Sequence, residues 1–162
     1  MPKELISLYR DFKIKSLYTN FTIQEDRFKK IKSTGIYKLL ESEFKEDIIT
    51  GSLSLWLFGL LDFDRKVYDI DIITNKIISN LTFDDYGNIS ESLLGYKYYN
   101  YTKHIFFRTE IKVDFFENIG QDYIEYKGLK FNTPFNIIDF KMKMITDNQK
   151  HKNDLIYCFN SI

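Results

Sequence analysis

Asp69-Ile70-Asp71 sets two carboxylates two positions apart, with Ile70 between them and Ile72 after. On an extended strand, residues i and i+2 share a face. Asp69 and Asp71 therefore point one way, and Ile70 and Ile72 point the other way, into a core. Upstream, Gly51-Ser52 opens an apolar run. A Gly-Ser turn at the start of a helix offers backbone N–H groups that suit a phosphate. A third acid, Asp114, stands in Ile111-Lys112-Val113-Asp114-Phe115-Phe116, where the same alternation exposes the acid and turns Val113 and Phe115 inward. Carboxylates on neighbouring strands can bridge two divalent ions about 3.5–4 Å apart. The expected occupant is a nucleoside triphosphate with its metal ions. Taken singly, an Asp-x-Asp is ordinarily a solvated face and a Gly-Ser is ordinarily a helix cap. The order and spacing of all three features are what point to chemistry.

These side chains need a sheet to carry them and helices to cover it. Residues 3–18 and 23–46 read as helices, the second with Thr22 as N-cap, Glu25 three positions on, and a break or bend at Gly35. Leu53, Trp56, Leu57, Leu60 and Leu61 follow helical spacing, which predicts a helix over 52–61 with one buried face. Asp62 to Lys66 reads as a polar loop and Val67 to Thr74 as a strand. Ile77 to Thr82 and the region from Ser90 to Tyr101 fit no single pattern, and Asp84-Asp85-Tyr86-Gly87-Asn88 is a turn signal. Strands are expected over His104 to Phe107 and Thr109 to Phe116, and a short hairpin or edge strand over Tyr126 to Phe131, with Lys127-Gly128 as its turn. A helix starts at Thr133-Pro134, and a last one covers 148–160. The fold class is α/β (α+β): a short mixed sheet flanked by helices before and after. It is one domain over 1–162, with a helical segment over 1–47 and the core over 48–162.

Composition excludes several classes. At 44% hydrophobic and 17% aromatic, the chain is globular rather than disordered. With 23 basic and 23 acidic residues it carries no general positive charge for nucleic acid. Cys158 has no partner cysteine, and His104 and His151 lack zinc-ligand spacing. No secretory leader or membrane-length apolar run is visible, so a cytoplasmic setting without membrane attachment is expected.

Gly51-Ser52-x-Ser-Leu-x-Leu-x-Gly-Leu, then Arg65, then Asp69-Ile70-Asp71-Ile72, resembles the signature of the nucleotidyltransferase superfamily related to DNA polymerase beta. The long stretch between turn and acids, with an arginine before them, looks most like the abortive-infection and toxin–antitoxin type. Lys141-Met-Lys143 and Lys150-His151-Lys152-Asn153-Asp154-Leu155 are similar to the run that closes many such domains. The resemblance covers about residues 48–157. Two departures stand out: bulky Leu and Trp residues follow the Gly-Ser turn, and His151 stands where the pattern prefers an aspartate.

The resemblance implies roles. Gly51 and Ser52 would contact the triphosphate, with Arg65, Lys141, Lys143 and Lys150 as further nucleotide-binding residues. Asp69 and Asp71 would hold two Mg²⁺ ions, with Mn²⁺ as the alternative, and Asp114 would bind one of them and help activate the acceptor. The implied activity is transfer of a nucleoside monophosphate from an NTP to a hydroxyl of an RNA or tRNA end, a protein or a small molecule, with a cognate toxin or antitoxin protein as partner. The other reading is an antitoxin or interaction module with the same fold and weak catalysis. Cys158 and Trp56 read as core residues, and Asp62 and Asp64 as loop acids.

Overall fold

The computed structural model describes residues 3–67, 69–75, 85–93, 96–105, 109–144 and 149–162; for 85–93, 96–105, 109–112 and 144 it describes the backbone alone. Helices α1 (Lys3–Ser16), α2 (Glu25–Lys32) and α3 (Gly35–Glu43) precede β1 (Ile48–Thr50) and α4 (Gly51–Leu57). Then follow β2 (Asp69–Thr74), β3 (Asp85–Leu93), β4 (Tyr96–Ile105), β5 (Thr109–Glu117), β6 (Tyr123–Tyr126) and β7 (Leu129–Asn132). Helices α5 (Pro134–Met144) and α6 (Gln149–Asn160) close the chain. The strands form one mixed sheet in the order β3-β4-β5-β2-β1-β7-β6. Pairs β2–β5 and β1–β7 are parallel, and the other neighbours are antiparallel. The α/β class with helices flanking the sheet is the one expected. Among the described residues no helix is long and apolar enough to cross a membrane.

The segment 23–46 is two helices. The break falls one residue before Gly35, where Thr34 is extended (φ −105°, ψ 163°). Gln24 rather than Thr22 caps α2, and its side chain makes no capping bond. Helix α4 is shorter than the periodicity predicts and is buried on all sides from Leu53 to Leu57, as a helix that is apolar nearly all round must be. Gly59 (φ +80°) ends it. The N–H of Gly59 bonds Trp56 O and that of Leu60 bonds Leu55 O, a Schellman closure.

The turn expected at 84–88 is a second correction. Asp85 to Asn88 belong to β3, and Gly87-Asn88 falls at a register shift between Tyr86 and Ile89. Turn-forming residues inside a paired strand are accommodated as an irregularity once the sheet supplies the hydrogen bonds. Ile77 to Thr82 and the end of the strand expected to Phe107 lie outside the described residues. The β6–β7 hairpin turns where expected, with both Lys127 (φ 48°) and Gly128 (φ 81°) left-handed, as a two-residue hairpin turn needs.

The core lies between sheet and helices. Phe12 of α1, Phe28 of α2, Leu40 of α3, Leu55 and Leu57 of α4, and Leu155 of α6 pack with Ile70, Ile72, Val113, Phe115 and Phe131 of the sheet, all 0% exposed. Cys158 is a buried small side chain, as expected, and its Sγ donates to Leu60 O at 3.1 Å.

Candidate active site

The pairing of β2 with β5 sets Asp71 opposite Asp114, Ile70 opposite Val113 and Ile72 opposite Phe115. The four apolar side chains are fully buried, so the two acids share the other face of the sheet. Asp114 thus stands beside Asp71 by register alone. Asp69 lies opposite Lys112, exposed at the start of β2.

On the other side of β2, Thr50 of β1 is the register partner of Asp71, and Gly51 follows directly. Its φ is +70°, and a Cβ built on it would stand 1.9 Å from Asp71 Oδ2. Backbone conformation and carboxylate both require glycine there. The N-cap, Thr50, makes no side-chain capping bond; its hydroxyl donates to Asn132 Oδ1 at 3.0 Å.

Burial and the neighbouring charge of Asp114 push the Asp71 carboxyl up to about 8, opposed by the ammonium of Lys141 and reinforced by a hydrogen bond between the two carboxyls. Two carboxyls bond to each other only when one is protonated, so burial and proximity favour the form of the pair that keeps one proton. Lys141 reaches the site from α5. It is buried, and its Nζ donates to Ser52 Oγ at 3.3 Å. Burial lowers its pKa, and the charges of Asp71 and Asp154 act against that lowering.

The other expected cations divide. Arg65 makes a bidentate pair with Asp154 of α6, Nε to Oδ1 at 3.0 Å and Nη2 to Oδ2 at 2.8 Å. That pair raises its pKa, with a smaller contribution from the charge of Asp69. Lys143 bonds Asp139 at 2.9 Å, and the Tyr9 hydroxyl of α1 donates to the same carboxylate at 2.8 Å. Burial raises the Asp139 pKa, but these two hydrogen bonds outweigh it and hold the group below the usual carboxylate range. Lys150 is exposed at the start of α6.

A cavity of about 720 Å³ opens over the acids, lined among others by Gly51, Asp71, Asp114, Lys141, Lys143 and His151. Its size is that of a small-molecule site. Ser52, Asp69, Arg65 and Lys150 are not in its wall. Ser52 is joined to it through Lys141, and Asp69 and Arg65 stand beside it. His151 is half-buried there, and burial followed by the charge of Lys141 lowers its pKa.

Asp71 and Asp114 offer hard oxygen donors of the kind that suit Mg²⁺ or Mn²⁺, and their placement opposite each other makes a place where positive charge is favoured. The fit is thus to a carboxylate pair with Asp69 as neighbour. Among the described residues no three His, Cys, Asp or Glu side chains form an assembled metal-holding group.

Sequence reasoning gave no role to Asp139, Asn132, Asn136 or the aromatic wall of Phe116 and Phe140. The spacing of Asn136 and Phe140, four apart on one helix, was the available signal.

Comparison with protein-family models gives no match, and neither does comparison with curated protein sequences. Among solved structures the chain is similar to JHP933 from Helicobacter pylori, with 17% identity and a TM-score of 0.48 over 83% of this chain and 66% of that one. The chain thus spans just under two thirds of that protein's length.

Proposed function

We propose that the protein is a divalent-metal-dependent nucleotidyltransferase that moves a nucleoside monophosphate from an NTP to a hydroxyl acceptor. The observation that carries this reading is the Asp71–Asp114 pair, face to face in one cavity, with Gly51 against it and Lys141 beside it. Asp71 and Asp114, with Asp69 adjacent, would hold Mg²⁺, which supplies charge neutralisation for the transferring phosphoryl group. Gly51 lets the backbone at the start of α4 lie against the Asp71 carboxylate, where any Cβ would collide with it. Lys141, held by its bond to Ser52, faces the triphosphate and balances the charge on the departing pyrophosphate. Asp114 takes the proton of the acceptor hydroxyl as its oxygen bonds to the α-phosphorus and the bond to the bridging oxygen of pyrophosphate breaks. Catalysis of this kind is chiefly positioning and electrostatics. Arg65 and Asp154 position the loop before β2 from α6 and stay paired.

The test is incubation with each α-³²P-labelled NTP and Mg²⁺, with cellular RNA and protein as acceptors. Label transfer that disappears in Asp69→Asn and Asp71→Asn supports the reading. No transfer and no Mg²⁺-dependent NTP binding would overturn it.

A second reading, an interaction module of a toxin–antitoxin or phage-defence pair, is favoured by the exposed Ile14 (61%), Leu17 (78%) and Tyr18 (87%) at the end of α1. A cellular effect that survives in Asp71→Asn and is lost in Leu17→Asp would select it.

A further inference from the structure

His151 brings an imidazole into the cavity wall from the first turn of α6. It is half-buried, and its Nδ1 is shut off from solvent. The charges that act on it come from three elements: Lys141 on α5, Lys150 and Asp154 on α6, and Arg65 in the loop before β2. Asp154 follows three positions after His151 and so lies on the same side of the helix. Both oxygens of that carboxylate bond to Arg65. Three positive charges thus stand against one negative charge around the ring, and the negative one is already balanced. Asp139 and Lys143, also in the wall, pair with each other at 2.9 Å, and Asp71 and Asp114 face the same cavity from the sheet.

Burial first, then the ammonium of Lys141, hold the imidazole below its usual range, so the empty cavity keeps it neutral at pH 7. A polyphosphate beside Lys141 reverses the second cause. Its charge offsets the ammonium, and its oxygens accept the charge-assisted bonds that an imidazolium donates. Imidazolium and phosphate each stabilise the other's charge, so a proton enters with the anion.

We propose that His151 couples polyphosphate binding in this cavity to the uptake of one proton, which it holds against the bound phosphates. This rests on the nucleotidyltransferase reading and adds to it a group that senses the leaving end of the substrate. The proton comes from solvent and goes to the imidazole, and no covalent bond to phosphorus is made or broken. His151 is also a place where the chain departs from the pattern it resembles, and an aspartate there would repel the same phosphate. Pyrophosphate is therefore held more tightly as pH falls, and its release is eased as pH rises.

The chain has two histidines, so the Cε1–H resonance of His151 is identified by its loss in His151→Gln. Its pH titration by NMR in Mg²⁺ is compared with and without saturating inorganic tripolyphosphate. The midpoint is expected below 6.5 in the empty protein and about 1 pH unit or more higher with tripolyphosphate bound. One unit is tenfold in affinity. Calorimetry should therefore show tripolyphosphate binding to wild type weakening by about 10-fold from pH 6 to 8 beyond any weakening in His151→Gln, a variant checked for folding by thermal melting. A midpoint that tripolyphosphate leaves in place or lowers, or an affinity that falls equally with pH in both proteins, would overturn the inference and leave the nucleotidyltransferase reading standing. Failure of tripolyphosphate and every NTP to bind removes that reading and the inference with it.

Discussion

Replacing Asp71 by asparagine should make the protein more stable in alkaline solution. In the folded chain burial and Asp114 push the Asp71 carboxyl from 3.8 up to about 8. Between these values the native state holds a proton that the unfolded chain has released. Stability therefore falls as pH rises through this window, and the loss is complete above about 8. Asparagine keeps the shape of the protonated form and has nothing to ionise. From pH 6 to 8 the wild type should lose about 2–3 kcal/mol relative to Asp71→Asn, at 1.36 kcal/mol per pH unit. For a chain of this length that is about 5–10 °C in melting temperature. Thermal or urea unfolding of both proteins at pH 6, 7, 8 and 9, in EDTA, measures it. Curves that run parallel would show that the two carboxyls do not share a proton in the folded protein. Repeating the series in Mg²⁺ should restore the wild type above pH 8 and leave the variant unmoved, because only the wild type keeps both acids of the pair for the ion.

Gly51→Ala should destabilise the fold by about 1–2 kcal/mol from its left-handed backbone alone, and displacement of Asp71 should abolish Mg²⁺-dependent stabilisation in the same melts. Arg65→Ala leaves Asp154, 8% exposed at its side chain, without its partner; about 3 kcal/mol should be lost in urea unfolding, with partial recovery in Arg65→Ala/Asp154→Asn. Phe115→Ala removes a fully buried ring from the layer behind the acids and should cost about 3–5 kcal/mol, read from the urea midpoint at constant m-value.

The faces of the two acid strands were legible because alternation is a local property. Ile70, Ile72, Val113 and Phe115 had to go inward, so Asp71 and Asp114 had to go outward. Their adjacency was not legible, because it needs β5 to return parallel to β2 past two intervening strands, and a pairing between distant segments leaves no periodic trace. The lysines show the same limit. Lys141, Lys143 and Lys150 look alike in sequence, yet only Lys141 is buried beside Asp71, a difference set by which side of α5 meets the sheet. Arg65 was noticed for its place before the Asp pair, and its partner Asp154 is brought to it by α6 from the far end of the chain. The turn signal at 84–88 was read correctly as chemistry and wrongly as structure, since sheet pairing overrode it. The tight turn at Lys127-Gly128 held because its two left-handed residues have no competing arrangement.

The parallel register of β2 and β5 also limits how this protein can change over evolutionary time. Sliding β5 by one residue would bring Val113 or Phe115 to the acid face and drive Asp114 into the apolar layer. The same spacing that assembles the acids assembles the core, so a lineage cannot adjust the distance between them by small shifts of strand pairing. Variation is left to the cavity walls and to the outer strands, where β3 and β4 extend the sheet away from Asp71. New specificities can arise there while the acids stay fixed, because moving the acids would cost the fold itself.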